Sequence, residues 1–305
     1  MSKKSGFNDA WWLVSGTVTL LALMLAVLLF NARTRVTAAA QLASKLQRMD
    51  CVDRLQIGLE SAVASEKSAV LASTDAESEQ FAVQTRIATT NIELELGELH
   101  ALLAADGTQD EKDFLRQFTE AFAEFQRVDT NLLALAIQNT NLKASGLVFG
   151  PATAALSNLD VALAHLPGDD AKALHLVDTA RIAAWRLLTL LPPHIAEEND
   201  AKMDAMEVLM TAEDQKVRRS LATLATMKEF ANHAELNAAT ASYAQFSALK
   251  AEILKLSREN TNVRSLAISL NEKRKVTLVC KAELTALHQV IEAEPSATFG
   301  HINAR

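Results

Sequence analysis

Beyond Gln41, apolar residues recur three or four positions apart along most of the chain. The spacing is clear at Leu132, Leu135 and Leu142. It places apolar side chains on one face of an α-helix, whereas a strand would alternate every second residue. Only nine glycines and five prolines occur among 305 residues. The abundant Ala, Leu, Glu and Gln lose little freedom in a helix, so the sequence predicts an all-α fold.

Helix-breaking residues divide the predicted helical part at only a few places. The breaks fall at 106–108, Gly150-Pro151, 167–170, Pro192-Pro193 and Pro295. Long helices joined by short connections are typical of antiparallel bundles. Helices are therefore expected near 41–73, 76–105, 110–149, 151–166, 170–191, 196–231, 235–270 and 272–293.

Two pairs of short segments repeat at the same distance along the chain. Phe122-Ala-Glu-Phe125 recurs as Tyr243-Ala-Gln-Phe246, and Asn139-Thr-Asn141 recurs as Asn260-Thr-Asn262, both 121 residues later. A shared offset is improbable by chance and indicates an internal duplication. We therefore expect two tandem antiparallel helical bundles.

Each predicted bundle is about 125 residues long. The first would occupy 38–166 and the second 170–294, with a C-terminal tail at 295–305. The pairs Glu66-Lys67 and Glu77 to Glu79 are interpreted as solvated helix faces.

Residues 11–30 contain no charged side chain. About 20 apolar residues are needed to cross a bilayer, and Trp11, Trp12 and Phe30 suit its two interfaces. We predict a transmembrane helix here, preceded by a cytoplasmic N-terminus at 1–10. A cleaved signal peptide is the alternative, although its apolar part would be only about 7–15 residues long.

Charges beside this segment do not decide its orientation. Lys3 and Lys4 precede it, and Arg33 and Arg35 follow it. A long domain after a first span often crosses the membrane regardless of charge. We therefore expect a single-pass inner-membrane protein with the bulk of the chain in the periplasm.

Asn139 and Asn260 occupy positions that heptad counting assigns to the helix core. A buried amide costs stability unless it is hydrogen-bonded, but one inward Asn can fix the register of packed helices. The functional alternative is a polar floor for a small ligand between helices. Four further polar residues would lie near the mouth of such a site: Asn141, Lys143, Asn262 and Arg264.

A second candidate region surrounds Pro192-Pro193, where one helix is expected to end and another to begin. Free backbone amides at a helix start favour anions, and we name Arg181 and His194 as candidate ligand contacts. His194 with Glu197 or Glu198 would offer a metal pair. Capping with surface carboxylates is preferred, because the seven histidines are scattered; no metal site is predicted.

Cys51 and Cys280 would lie at similar heights if the last helix runs back toward the membrane. One expectation is a disulfide between them, and the other is two buried small residues.

Sequence motifs for chemistry are absent. No Cys-x-x-Cys-His, P-loop, Gly-x-Gly-x-x-Gly or serine-nucleophile motif occurs, and the net charge of −7 includes no basic run. We therefore expect no enzymatic activity, no cofactor and no nucleic-acid partner.

Three segments resemble the four-helix-bundle sensor region of bacterial methyl-accepting chemotaxis receptors: 66–75, 135–143 and 260–275. The resemblance implies an extracytoplasmic sensing or docking module that binds small ligands between its helices. Such receptors continue through a second membrane helix into a cytoplasmic signalling part, and no second span of that kind follows here.

The predicted function is that of a membrane-anchored, noncatalytic helical-bundle protein. It would bind a small ligand, a partner protein or a second copy of itself beside the lipid bilayer. The alternative is a structural or accessory subunit of a larger membrane complex. A charged pocket near Asn139 or Asn260 would favour the first, and a large exposed apolar helix face the second.

Overall fold

The computed structural model describes residues 8–168 and 170–294, with side chains at 21–30, at 33 and from 39 onward. Every regular element in these ranges is helical, which confirms the all-α prediction. The α-helices are α1 (Asn8–Leu71), α2 (Asp75–Asp106), α3 (Gln109–Ala136), α4 (Thr140–Leu147), α5 (Thr153–Ala164), α6 (Ala171–Ala196), α7 (Asp200–Thr226), α8 (Ala234–Glu259), α9 (Thr261–Ile268) and α10 (Arg274–Ala293). Two π-helical segments, Val148–Ala152 and Ser269–Lys273, join α4 to α5 and α9 to α10.

The chain divides into two compact units. Unit 1 consists of Met1–Glu60, Thr89–Phe122 and Leu278–Arg305, and unit 2 of Ser61–Ala88 and Ala123–Thr277. This division differs from the predicted succession of bundles at 38–166 and 170–294. The reason is that α1, α2, α3 and α10 each contribute residues to both units. Within unit 2, α5 also packs against α8, which joins parts of both predicted bundles.

Unit 1 has a core of apolar side chains from α1, α2, α3 and α10. Gly58 allows a close approach of α1 and α2, because a Cβ at that position would meet Ile92 Cγ1 at 2.9 Å. Cys51 and Cys280 are both buried in this unit and no disulfide joins them, so they pack as small buried residues. Large members of the core are Leu55, Leu59, Leu99, Leu103, Leu115, Phe118 and Leu284.

Unit 2 contains the larger apolar cluster, built mainly by α5, α6, α7 and α8. Leu156, Leu187 and Phe246 are fully buried in it. A smaller cluster of Leu132, Leu133 and neighbouring alanines lies between α1, α2 and α3 of the same unit. These clusters hold the polar residues described below in fixed positions.

The prolines do not end helices where the sequence predicted. Pro151 lies inside the first π-helical segment, and Pro192-Pro193 lie inside α6, which ends only at Ala196. Leu191 and Ile195 are both buried in the core. Tertiary packing of this apolar face therefore keeps the turn helical although the prolines lack amide donors.

Two helix breaks occur instead at Asn139 and Asn260, where none was predicted. Their φ angles are 50° and 53°, in the left-handed region. Asparagine tolerates this conformation better than most residues do. Asn260 alone separates α8 from α9, whereas Asn139 is the last of three residues between α3 and α4.

One helical stretch among the residues with described side chains, Gln109–Ala164, is long and apolar enough to cross a membrane. It lies inside the chain, its apolar window is 39% buried within the fold, and the core helices of helical domains have the same character. Of the predicted span at 11–30, Leu21–Phe30 forms a shorter apolar helical stretch. The side chains of Trp11 and Trp12 lie outside the described residues.

Candidate ligand-binding site

The two Asn-Thr-Asn segments, 139–141 and 260–262, meet inside unit 2. We call this pair of segments the clasp. Each segment begins a short helix, α4 or α9, directly after its left-handed Asn. Neither of these helices receives a hydrogen bond from its own N-cap side chain.

The helix starts in the clasp are capped reciprocally. The Thr140 amide donates to Thr261 Oγ1 at 3.2 Å, and the Thr261 amide donates to Thr140 Oγ1 at 3.1 Å. One residue further on, the Asn141 amide donates to Asn262 Oδ1 and the Asn262 amide to Asn141 Oδ1, both at 3.1 Å. The first amides of a helix have no acceptor within it. Here each helix supplies the caps of the other.

Most side-chain amides of the clasp are also used. Asn141 Nδ2 donates to Asn260 Oδ1 at 2.7 Å and to the Ile195 carbonyl at 2.6 Å. Asn262 Nδ2 donates to Asn139 Oδ1 at 2.9 Å, and Asn260 Nδ2 donates to a backbone carbonyl at the end of α6, also at 2.9 Å.

Asn139 Nδ2 differs from these, because it is buried without a hydrogen-bond partner among the described residues. Asn139 and Asn260 are 0% and 6% exposed, as their core positions in the heptads require. The side-chain amides bond mainly to one another and to backbone atoms. These contacts favour a structural role, in which the asparagines fix the helices relative to each other, over direct contact with a ligand.

A groove of about 350 Å³ opens beside the second half of the clasp. We call it the Asn260 groove, and its lining residues are Glu198, Asn199, Asn260, Val263, Arg264 and Ala267. Arg264 is exposed there. Its guanidinium makes no ion pair or side-chain hydrogen bond within the described part of the chain, so it can accept an anionic group. This volume lies at the lower end of the range of small-molecule sites.

Lys143 holds the position equivalent to Arg264 in the first half but is differently engaged. Its Nζ donates to the Gln138 carbonyl at 2.8 Å and lies 3.2 Å from Asp75 Oδ2. Of the predicted site residues, the four clasp asparagines are therefore brought together and Arg264 lies beside them. Lys143 is tied to a local acceptor and a carboxylate.

A buried polar network lies next to the clasp, at the end of α6. His194 Nδ1 lies 2.8 Å from Ser257 Oγ, and His194 Nε2 lies 3.0 Å from Glu207 Oε1. Ser257 Oγ also lies 3.0 Å from the His194 carbonyl. The less favoured alternative, a metal pair of His194 with Glu197 or Glu198, is not formed, because the histidine faces Glu207.

The protonation state of His194 determines which hydrogen bonds this network can form. Burial lowers the pKa of His194, and Glu207 counteracts the effect. In neutral His194, Nε2–H donates to Glu207, so the single Ser257 hydroxyl proton is shared between His194 Nδ1 and the His194 carbonyl. The carboxylate itself is kept ionised by Arg258, whose Nε donates to Glu207 Oε1 at 2.7 Å and lowers the pKa of that carboxyl.

Ser257, His194 and Glu207 form the same chemical sequence as a hydrolase triad. Ser257 and His194 are each 0% exposed, so no substrate reaches the hydroxyl in this conformation. The sequence did not indicate this network, since Ser257 lies 63 residues after His194 and belongs to no local motif.

Arg181 lies in a separate, open groove of about 480 Å³ with Trp185 and Arg186. Its Nε and Nη2 bind the two oxygens of Asp160 at 2.6 and 3.1 Å. The hydrogen bond from Arg181 lowers the pKa of Asp160. The guanidinium is therefore already neutralised by a bidentate partner.

Unit 1 contains one cluster with metal-ligand spacing among the described residues, formed by Cys51, Glu95 and Glu98. Arg54 already bonds all three, with Nε 2.7 Å from Glu95 and Nη2 3.1 Å from both Glu98 and the Cys51 sulfur. Burial raises the pKa of the Cys51 thiol to about 11, and only a thiolate is a strong metal ligand. The geometry is that of an ion-pair cluster.

No protein family, curated protein or solved structure matches this chain.

Proposed function

We propose that this protein is a membrane-anchored, noncatalytic helical protein that binds a small ligand in the Asn260 groove. The observation that carries the proposal is the uncompensated Arg264 guanidinium in a groove whose wall is fixed by the clasp. A charged pocket near Asn260 is the feature that favours a sensor-like role, as in the chemoreceptor region that the sequence resembles.

The lining residues define the chemistry of the ligand. Arg264 offers a forked donor to a carboxylate or a similar anion, and Glu198 on the lining of the same groove favours a cationic group. A small dipolar molecule with both charges, such as an amino acid, matches this pair. Most clasp amides are already hydrogen-bonded within the protein, so they form the wall of the groove. The ligand would contact the charged residues Arg264 and Glu198.

We further propose that the two clasp helices and the π-helical segments after them arose by internal duplication. Asn139 and Asn260 start helices α4 and α9 of eight residues each, and a π-helical segment of five residues follows each helix. Both sets lie at the offset of 121 residues that the sequence repeat shows. Equal geometry at equal spacing supports descent from one ancestral helix pair.

The proposed anchor is the segment 11–30. The ten described side chains in it, 21–30, are all exposed, and the large apolar ones range from 52% to 70% exposure. A helix that is apolar on every face and packs against nothing is suited to lipid. We place the remainder of the chain on the periplasmic side.

Ligand binding can be tested by thermal unfolding of the full chain in mild detergent. The probes are the individual L-amino acids, each at millimolar concentration. A ligand at 100 times its Kd stabilises the folded state by about 2.7 kcal/mol. We expect at least one probe to raise the Tm of the wild-type protein and to lose this effect in Arg264→Gln.

Lys143→Gln is the matched control, because Lys143 occupies the equivalent position outside the groove. It should retain the full shift. An equal shift in Arg264→Gln would place the ligand elsewhere, and no shift with any probe would contradict binding of this ligand class.

The alternative, an accessory subunit of a membrane complex, is favoured by one observation. Phe149 and Leu270, in the two π-helical segments, are 73% and 56% exposed. Exposed large apolar side chains are typical of protein contacts when they form a patch. If no probe binds and the protein leaves the membrane in a stoichiometric complex that Phe149→Ser disrupts, the alternative replaces the leading proposal.

A further inference from the structure

We propose that Glu66 is a buried proton-binding site in unit 2, where it holds a proton beside the ion pair of Lys273 and Asp129. This site is independent of the Asn260 groove and of any ligand there.

Glu66 lies near the end of α1 and is 0% exposed. Neither of its carboxyl oxygens has a hydrogen-bond partner among the described residues. An ionised carboxylate in such a place has lost water and gained no donor, which is the costly way to bury a charge. The sequence interpretation of Glu66-Lys67 as a solvated face is therefore wrong for Glu66, although Lys67 is exposed.

Lys273, the buried cation that lowers the pKa of Glu66, is committed to another acceptor. Lys273 Nζ lies 2.5 Å from Asp129 Oδ1 and 3.2 Å from the Phe125 carbonyl. It also lies 3.1 Å from the centre of the Phe125 ring. Lys273 and Asp129 are 1% and 4% exposed, so their charges cancel locally. An ionised Glu66 would add an uncompensated negative charge to this interior, whereas a protonated Glu66 leaves the cluster neutral.

The other charged groups around the cluster have only a weak effect on the pKa values of Glu66 and Asp129. Lys67 follows Glu66 on α1, and Arg86 on α2 acts on Asp129 with a side chain that is 52% exposed. Solvent screens both of them. The Ser269 hydroxyl is near enough to lower the pKa of Glu66 in part, although it does not meet the geometry of a hydrogen bond with either carboxyl oxygen.

Burial raises the pKa of Glu66 and also that of Asp129. The two carboxyls differ in their donors, because Lys273 donates directly to Asp129 and to neither carboxyl oxygen of Glu66. The proton is therefore assigned to Glu66, and Asp129 stays ionised.

The π-helical segment Ser269–Lys273 appears at this cluster and shapes it. Four buried polar residues follow one another at intervals of four: Ser265, Ser269, Lys273 and Thr277. In a regular α-helix with 3.6 residues per turn, each step of four residues rotates the side chain further around the axis. The wider π turn offsets this rotation and keeps Ser269 and Lys273 on the inner face. π-bulges of this kind are frequent at functional sites.

The sign of the pH effect follows from the raised pKa. Glu66 binds its proton more tightly in the folded chain than in the unfolded chain. Its contribution to the free energy of unfolding is complete below the ordinary pKa of Glu, about 4.3. This contribution is lost as pH rises toward the folded-state pKa. Each unit of difference changes the folding equilibrium constant about tenfold.

The test compares unfolding of the full chain in mild detergent from about pH 5 to 8 in three proteins: wild type, Glu66→Gln and the exposed control Glu252→Gln. Gln has the shape of the protonated acid but cannot ionise. We expect the wild type and Glu252→Gln to lose stability relative to Glu66→Gln by about tenfold per pH unit until Glu66 ionises. Parallel curves for all three proteins would overturn the proposal.

Infrared spectroscopy gives a second measurement that does not depend on the variant folding. The wild-type protein at about pH 6 should show the carbonyl band of a protonated carboxylic acid, since exposed carboxyls are ionised there. Glu252→Gln should retain the band, and Glu66→Gln should lose it. Absence of the band in the wild type, or its persistence in folded Glu66→Gln, would contradict the assignment to Glu66.

Discussion

The two halves of the clasp have the same three residues and the same backbone but different surroundings. Asn139 and Asn260 both adopt the left-handed conformation, and both threonines cap the opposite helix. Asn260 also bonds the end of α6 and lines the groove, whereas the Asn139 side-chain nitrogen has no partner among the described residues.

This difference distinguishes the structural role of the Asn-Thr-Asn segments from the role of the residues that surround the second segment. The shared features start two helices and fix them to each other, which is a structural role. The features found only in the second half come from the α6 to α7 connection and from Arg264. We infer that the second half acquired the binding role while the first half kept only the structural one.

The largest expected effect comes from replacing each left-handed asparagine in turn. Asn260→Ala should reduce the free energy of unfolding by about 3 kcal/mol, since it adds left-handed strain and removes two hydrogen bonds. Asn139→Ala should cost only about 1 kcal/mol, because it adds the same strain while the loss of one hydrogen bond is offset by removal of an unsatisfied buried amide. Urea unfolding measures both.

Glycine at the same two positions separates strain from bonding. Because glycine adopts the left-handed conformation freely, Asn260→Gly should still cost about 2 kcal/mol, while Asn139→Gly should be close to neutral. Equal losses at the two positions would show that the surroundings of the clasp halves do not differ in energy.

A smaller effect is expected from the threonines, where the halves are alike. Thr140→Val and Thr261→Val should each cost about 1 kcal/mol, the usual value of a helix cap. Each variant also removes the hydroxyl contact at 3.2 Å between the two side chains. Their combined cost should therefore depart from the sum by about 0.5 kcal/mol or more in a double-mutant cycle. Strict additivity would mean that the two caps act independently.

The apolar periodicity of the sequence was sufficient to predict an all-helical chain, because helix burial depends on side chains three and four apart. It also placed Asn139 and Asn260 at inward positions. It could not predict the two helix breaks there, since the left-handed conformation is stabilised by contacts from a segment 121 residues away. At Pro192-Pro193 the sequence predicted a helix end that does not occur, because burial of Leu191 and Ile195 outweighed the missing amide donors.

The site was predictable only in part, for the same reason. The clasp asparagines and Arg264 stood out as a repeated motif, whereas the groove depends on Glu198 and Asn199 from a distant connection. His194, Ser257 and Glu207 meet through tertiary packing and share no spacing that a helix or strand would produce. Glu66 was misassigned because a Glu-Lys pair is ordinarily solvated.

Amide hydrogen exchange tests most directly whether each clasp helix is capped by the other. In Thr140→Val the Thr261 amide loses its acceptor, Oγ1 of Thr140, at 3.1 Å. We predict that exchange at Thr261 accelerates at least about tenfold, the equivalent of one hydrogen bond. The neighbouring Asn262 amide, bonded to Asn141, should change less. Unchanged exchange at Thr261 would contradict reciprocal capping.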